Sequence, residues 1–285
     1  MAAAGRSEVG FGLKNLALYT LLAYGFSWLL WLPQVLASNG ITRWDTFSYI
    51  AGFFAPFGPS LSAFVVTYRT EGKEAVLSLL RRGINLRFGK GWVAALLLFS
   101  PLWAGSVLLI GSITEKTPIS LPWLSNPISL IVSPGIYNLA YLLVFFGVAE
   151  EFGWRGYALE KLQTRLSNAT LSAVVVGLIW TFWHTPLFYI SGSSMANTGI
   201  VPQVAQTVVF SIWMAWFYFN TGGSVLATIF FHAWNALILF VVFPVSYIFN
   251  PGSFPSILLY ALAVAMTVAI LAVWGPKRLV WSGQG

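Results

Sequence analysis

Apolar residues run almost unbroken through eight stretches, at about 15–37, 47–69, 91–113, 128–150, 169–190, 202–220, 224–247 and 254–275. Each has the ~20 residues that a helix needs to cross the hydrocarbon core of a bilayer. In hydrocarbon every backbone N–H must bond within its own segment or within a closed barrel, and the short alternating strands of a barrel are absent from this pattern. The pattern therefore predicts an all-α polytopic membrane protein with eight transmembrane helices. The longest polar interval, 69–90, carries Leu77, Leu79 and Leu80 among charges. It reads either as an amphipathic helix on an anionic membrane surface or as a connecting loop. No internal repeat or linker composition interrupts the chain, so residues 1–285 are expected to form one transmembrane domain.

Composition supports this and narrows the chemistry. The chain is 58% apolar and 8% charged, against roughly 25% charged residues in soluble domains, which excludes a water-soluble globule. It has no cysteine, which excludes disulfides, thiolate nucleophiles, Cys-ligated zinc and a lipidated C-terminal cysteine. The net charge of +7 comes from residues scattered between apolar runs, so no nucleic-acid partner is expected. Those cations set orientation instead. With both termini cytoplasmic, thirteen basic residues fall inside, and Arg43 and Lys116 fall outside. The first helix has a basic flank but exceeds a signal-peptide core, so it reads as a retained anchor, and the expected location is the plasma membrane of a prokaryote. Asn168-Ala169-Thr170 matches a glycosylation sequon but falls on the cytoplasmic side.

Ionisable groups at membrane depth are costly and mark function by default. Glu8, Asp45, Glu71, Glu74, Glu115 and Glu160 fall in termini or loops. That leaves Glu150 and Glu151 at the end of the fourth span, and the two histidines, His184 in the fifth and His232 in the seventh. Glu151 and Arg155 are four apart, in the favourable order for a helical pair, which frees Glu150 to face elsewhere. Two adjacent carboxylates, of which the arginine holds one, suit a general base beside an ionised partner. Asn235, one turn beyond His232, suits an oxyanion donor, a metal-site partner or ordinary interhelical bonding. A glutamate with two histidines can activate water with or without a metal. Other intramembrane hydrolases are excluded by inventory: there is no H-E-x-x-H, one Asp cannot form a dyad, and Ser191-Gly192-Ser193-Ser194 lies in an outer loop.

Glu150-Glu151 with Arg155, an aromatic residue four before His184, and a His–Asn pair in a later helix resemble the CPBP family of intramembrane proteases. That family includes the CAAX prenyl endopeptidases and is also called the abortive-infection family. Its motifs, E-E-x-x-x-R, F-x-x-x-H and H-x-x-x-[ND] on an eight-helix fold, fall in the same order within 145–240 here. Trp180 stands where the family has Phe, and Asn235 lies three residues after His232 rather than four. The resemblance implies Glu150 as general base, His184 positioning the water, His232 and Asn235 stabilising the oxyanion, and Glu151, Arg155 and Trp180 in support. It leaves open whether zinc or another divalent metal is held by Glu150, His184 and His232, or whether the histidines are hydrogen-bond donors. The implied substrate is a membrane-associated protein or lipidated peptide, with a prenylated CAAX tail as the family example, reached from the cytoplasm or the lipid. A proton-coupled transporter using Glu150, His184 and His232, and a non-catalytic scaffold or immunity protein, are the competing classes.

Span ends taken at face value separate Glu150 and His184 in depth by roughly 22 Å at ~1.5 Å per residue. They meet only if the fourth helix continues through Arg155 and the fifth begins nearer Val174, with Pro134 delaying the start of the fourth. A cavity open to the cytoplasm is the expected result.

Overall fold

The computed structural model describes residues 12–116, 121, 135–243 and 252–280. Among these the chain is helical, with ten helices and no strand. They are α1 (Leu13–Ser38), α2 (Thr46–Glu71), α3 (Lys73–Arg82), α4 (Lys90–Glu115), α5 (135–166), α6 (Ala169–Trp183), α7 (Ser194–Thr198), α8 (Ile200–Asn220), α9 (225–242) and α10 (Phe254–Trp274). Six helices are long and apolar enough to cross a membrane: α1, α2, α4, α6 with its 3-10 extension to Tyr189, α8 and α10. A shorter apolar helix covers Val225–Phe240. The fourth expected span falls on α5, but residues 128–134 of that expected span, including Pro134, lie outside the described residues, as do 244–247 of the seventh.

The helix starts follow from local chemistry. Side chains of Asp45, Asn168, Ser193, Ser224 and Ser253 accept a bond from a backbone N–H in the first turn that follows, satisfying donors that a helix leaves open. The polar 69–90 interval resolves as a helix: α3 turns off α2 at Gly72, where φ is +84°, and buries Leu79 against Gly156 of α5. Ion pairs close this end of the bundle. Arg82 meets Glu160 at 3.2 Å and Lys161 meets Glu71 at 2.6 Å, while Tyr218 accepts from Arg82 and donates to Glu160.

Outward faces of the long helices carry apolar side chains, among them Leu21, Leu29, Leu102, Ile113 and Val268. Patches of this extent are untenable in water and suit lipid. Polar and bulky aromatic side chains turn inward instead, where Trp154, Trp183, Trp213 and Arg155 are fully buried. The fold is therefore that of an integral membrane protein whose interior is occupied by α5, α6, α8 and α9.

Candidate active site

The depth separation expected from the spans disappears because α5 runs on to residue 166 and α6 starts at Ala169. Continuation of α5 through Arg155 matches expectation, but α6 does not begin near Val174. Glu150 lies 16 residues before the tight α5–α6 turn and His184 lies 15 residues after the start of α6. The antiparallel hairpin thus brings both to one level.

Glu150 and Glu151 sit on a short α-helical stretch, Ala149–Gly153, between two π-helical ones, Leu143–Val148 and Trp154–Leu159. Such wider turns are frequent at functional sites because they re-aim side chains. Two glycines fix the packing. A Cβ on Gly147 would come within 2.7 Å of Ile229 Cγ2 and 2.8 Å of its carbonyl oxygen, and one on Gly153 within 2.6 Å of the Pro59 carbonyl oxygen. α5 is therefore seated closely against α9 on one side and α2 on the other.

This seating divides the two carboxylates. Glu151 Oε1 accepts from Arg155 at 2.9 Å, as the four-residue spacing predicts, and lies 2.8 Å from Nδ1 of His232. All three are buried. An ionised Glu151 accepts the Nδ1 proton, which leaves Nε2 of His232 for the cavity. Glu150 turns the other way, and its Oε2 accepts from the indoles of Trp180 at 2.7 Å and Trp154 at 3.1 Å.

Trp180 does more than form an aromatic wall. Its ring stacks under the Arg155 guanidinium, with Cζ 4.7 Å from the centroid, and stands 5.3 Å from the His232 ring and 5.8 Å from the His184 ring. Phenylalanine would keep those ring contacts but could not donate to Glu150. His184 closes the C-terminus of α6, and its Nδ1 is buried without a partner among the described residues. Asn235, despite its three-residue spacing, faces the same centre. Its Oδ1 accepts from Ser100 of α4 at 2.8 Å, which directs the amide nitrogen away as a donor.

Glu150, Trp180, His184, His232 and Asn235 line one cavity of about 430 Å³, whose other walls are apolar and aromatic side chains except for Gln203, Gln206 and Thr207. The sequence assignment missed Trp154, readable as Glu150 plus four, and Ser100, which carries no local signal. Among the lining residues Val201, Phe240 and Val264 are exposed. They belong to α8, α9 and α10, so this side of the cavity faces outward between helices rather than toward the end closed by Arg82, Glu160 and Lys161.

Among the described residues, no three His, Asp or Glu side chains gather closely enough to ligate one metal ion. Glu150, His184 and His232 share a cavity without forming a ligand set. What they provide is a carboxylate held by two indole donors, two imidazoles and a carboxamide, in apolar surroundings where each charge is weakly screened.

Comparison with known proteins bears on the same stretch of chain. Residues 132–238 match the family described as type II CAAX prenyl endopeptidase Rce1-like, an interval that contains all five of these residues. Over 228 residues the chain is 26% identical to CAAX prenyl protease 2 of Methanococcus maripaludis, covering 76% of this chain and 81% of that one.

Proposed function

We propose, from the match of residues 132–238 to the Rce1-like endopeptidases and the likeness to CAAX prenyl protease 2, that the chain is an intramembrane protease of the CAAX prenyl protease family and hydrolyses a peptide bond near the C-terminus of a prenylated, membrane-associated protein. The transporter and scaffold readings are not favoured. The observation that carries the proposal is the placement of Glu150 in an apolar cavity, anchored through Oε2 by two indoles, with His184, His232 and Asn235 on the same walls.

With Oε2 engaged, Oε1 of Glu150 binds a water and takes its proton as the oxygen adds to the scissile carbonyl. His184 orients that water. The oxyanion is met by the Asn235 amide and by Nε2 of His232, which donates there as the imidazolium. Before attack the two carboxylates balance Arg155 and a protonated His232, and once Glu150 holds the proton the oxyanion takes its place in that balance, which lowers the cost of burying the charges. Glu150 then passes its proton to the departing amine, and the products are a carboxylic acid and an amine. No step is routed through a metal.

The cavity walls suit a lipid chain, and exposed Val201, Phe240 and Val264 support access from the lipid between α8, α9 and α10. The proposed topology keeps eight spans in a prokaryotic plasma membrane, with both termini and the basic end of the bundle cytoplasmic. Cleavage of a matched pair of C-terminal peptides, with and without a prenyl group, tests the proposal. Turnover at least tenfold faster on the prenylated peptide is expected. Equal turnover would remove the lipid from the substrate description, and no turnover on either would remove the activity proposed.

A further inference from the structure

The α6–α8 pair has a readable antiparallel register. Ser211 donates to the carbonyl of Ala173 at 2.7 Å, a Cβ on Gly177 would lie 2.8 Å from Val208 Cα, and the hydroxyls of Thr181 and Thr207 share a hydrogen bond. The contacts pass along α6 from Ala173 to Thr181 while they pass back along α8 from Ser211 to Thr207. Gln203 lies one turn beyond Thr207 and His184 about one turn beyond Thr181, and both line the same cavity, which puts Gln203 at the level of the proposed catalytic centre.

Gln203 is 7% exposed and lines the cavity. Its backbone carbonyl accepts from Thr207 at 2.7 Å, but its carboxamide has no hydrogen-bond partner among the described residues, and it is not sealed from the cavity space. Gln206, three residues on and on the same face, lines the cavity as well. A buried carboxamide without a partner is destabilising in an apolar wall. A peptide drawn into that cavity meets the same difficulty, because its backbone N–H and C=O groups lose water. One carboxamide offers both an acceptor and donors, the complement of a peptide amide, whereas a prenyl chain offers it nothing.

We propose that Gln203 binds a backbone amide of the substrate beside the scissile bond, and so sets the register in which the peptide lies against Glu150. This rests on the protease reading above. It adds a substrate-binding residue on α8 that lies outside the glutamate, histidine and asparagine set.

The test is steady-state cleavage of a lipidated peptide by the intact protein and by Gln203→Met, which keeps volume and loses hydrogen bonding. A series of the same peptide with single backbone amides N-methylated or replaced by esters completes it. The expected result is a KM raised about tenfold in Gln203→Met, with kcat within about twofold. One backbone-modified peptide loses a similar factor with the unsubstituted protein and loses nothing further with the variant. Should Gln203→Met fail to fold, Gln203→Asn, which withdraws the carboxamide by one methylene, is expected to show the same pattern. An unchanged KM, or losses that multiply between variant and modified peptide, would overturn the role of Gln203 while leaving the protease reading intact. Absence of any cleavage by the unsubstituted protein would overturn the protease reading itself.

Discussion

Replacing Gly147 with alanine tests the packing that places the site. The added Cβ would meet Ile229 at Cγ2 (2.7 Å), at its carbonyl oxygen (2.8 Å) and at Cα (3.2 Å). A rotamer change relieves only the first of these. Ordinary contact begins near 3.4 Å and the carbonyl oxygen stands at 2.8 Å, so α5 and α9 must part by about 0.6 Å. Overpacking of this kind typically costs about 1–3 kcal/mol. The same seam carries the 2.8 Å contact of Glu151 with His232 and sets Glu150, on α5, against His232, on α9. A displacement approaching 1 Å at a reacting centre costs about 10²-fold in rate. Gly147→Ala is therefore expected to lower unfolding stability in mixed micelles by about 1–3 kcal/mol, and kcat/KM by roughly tenfold to a hundredfold. The matched control is Gly105→Ala in α4, where an added Cβ meets nothing within 4 Å and stability should hold or rise by up to about 1 kcal/mol. Equal behaviour of the two variants would refute the claim that close approach at Gly147 sets the site.

Arg155→Met leaves Glu151 buried with His232 as its sole partner and should cost about 3–5 kcal/mol of stability. Adding Glu151→Gln should recover more than half, and additive losses in a double-mutant cycle would count against the pair. Ser100→Ala should leave folding intact and lower kcat about tenfold by freeing Asn235 to rotate, so unchanged kcat would show that the Ser100 bond does not orient the amide. Chelation with phenanthroline is expected to leave cleavage unchanged, and stoichiometric zinc with chelator-sensitive turnover would contradict the metal-free route.

Local spacing made part of this site legible. The Glu151–Arg155 pair needs only four residues of helix, and structure places it as read. The cavity-facing direction of Glu150 followed, because one guanidinium cannot hold both carboxylates. The basic end of the bundle was legible as a scatter of cations, and the eight apolar runs as helices where described. What was hidden is tertiary. The indole of Trp180 donates to Glu150 across 30 residues of chain, and the Ser100 hydroxyl reaches Asn235 across 135. A serine in an apolar helix ordinarily bonds back to its own backbone, as Ser106 does to Leu102, so nothing singled Ser100 out. Apolar runs also mislead about depth. Polarity at Glu150 marked the end of a span, whereas α5 continues with Glu150, Glu151 and Arg155 buried and bonded to side chains of the protein rather than exposed to water.

The central claim is that Glu150 activates the water, and Glu150→Gln tests it most directly. Glutamine keeps the shape and can still accept from the two indoles, but it cannot take a proton. Turnover of a prenylated peptide by detergent-purified protein should fall by about 10²–10⁴, while the peptide's Kd, read by fluorescence, stays within about threefold of the unsubstituted protein. A Glu150→Gln variant that binds equally well and cleaves within tenfold of the unsubstituted rate would contradict the account.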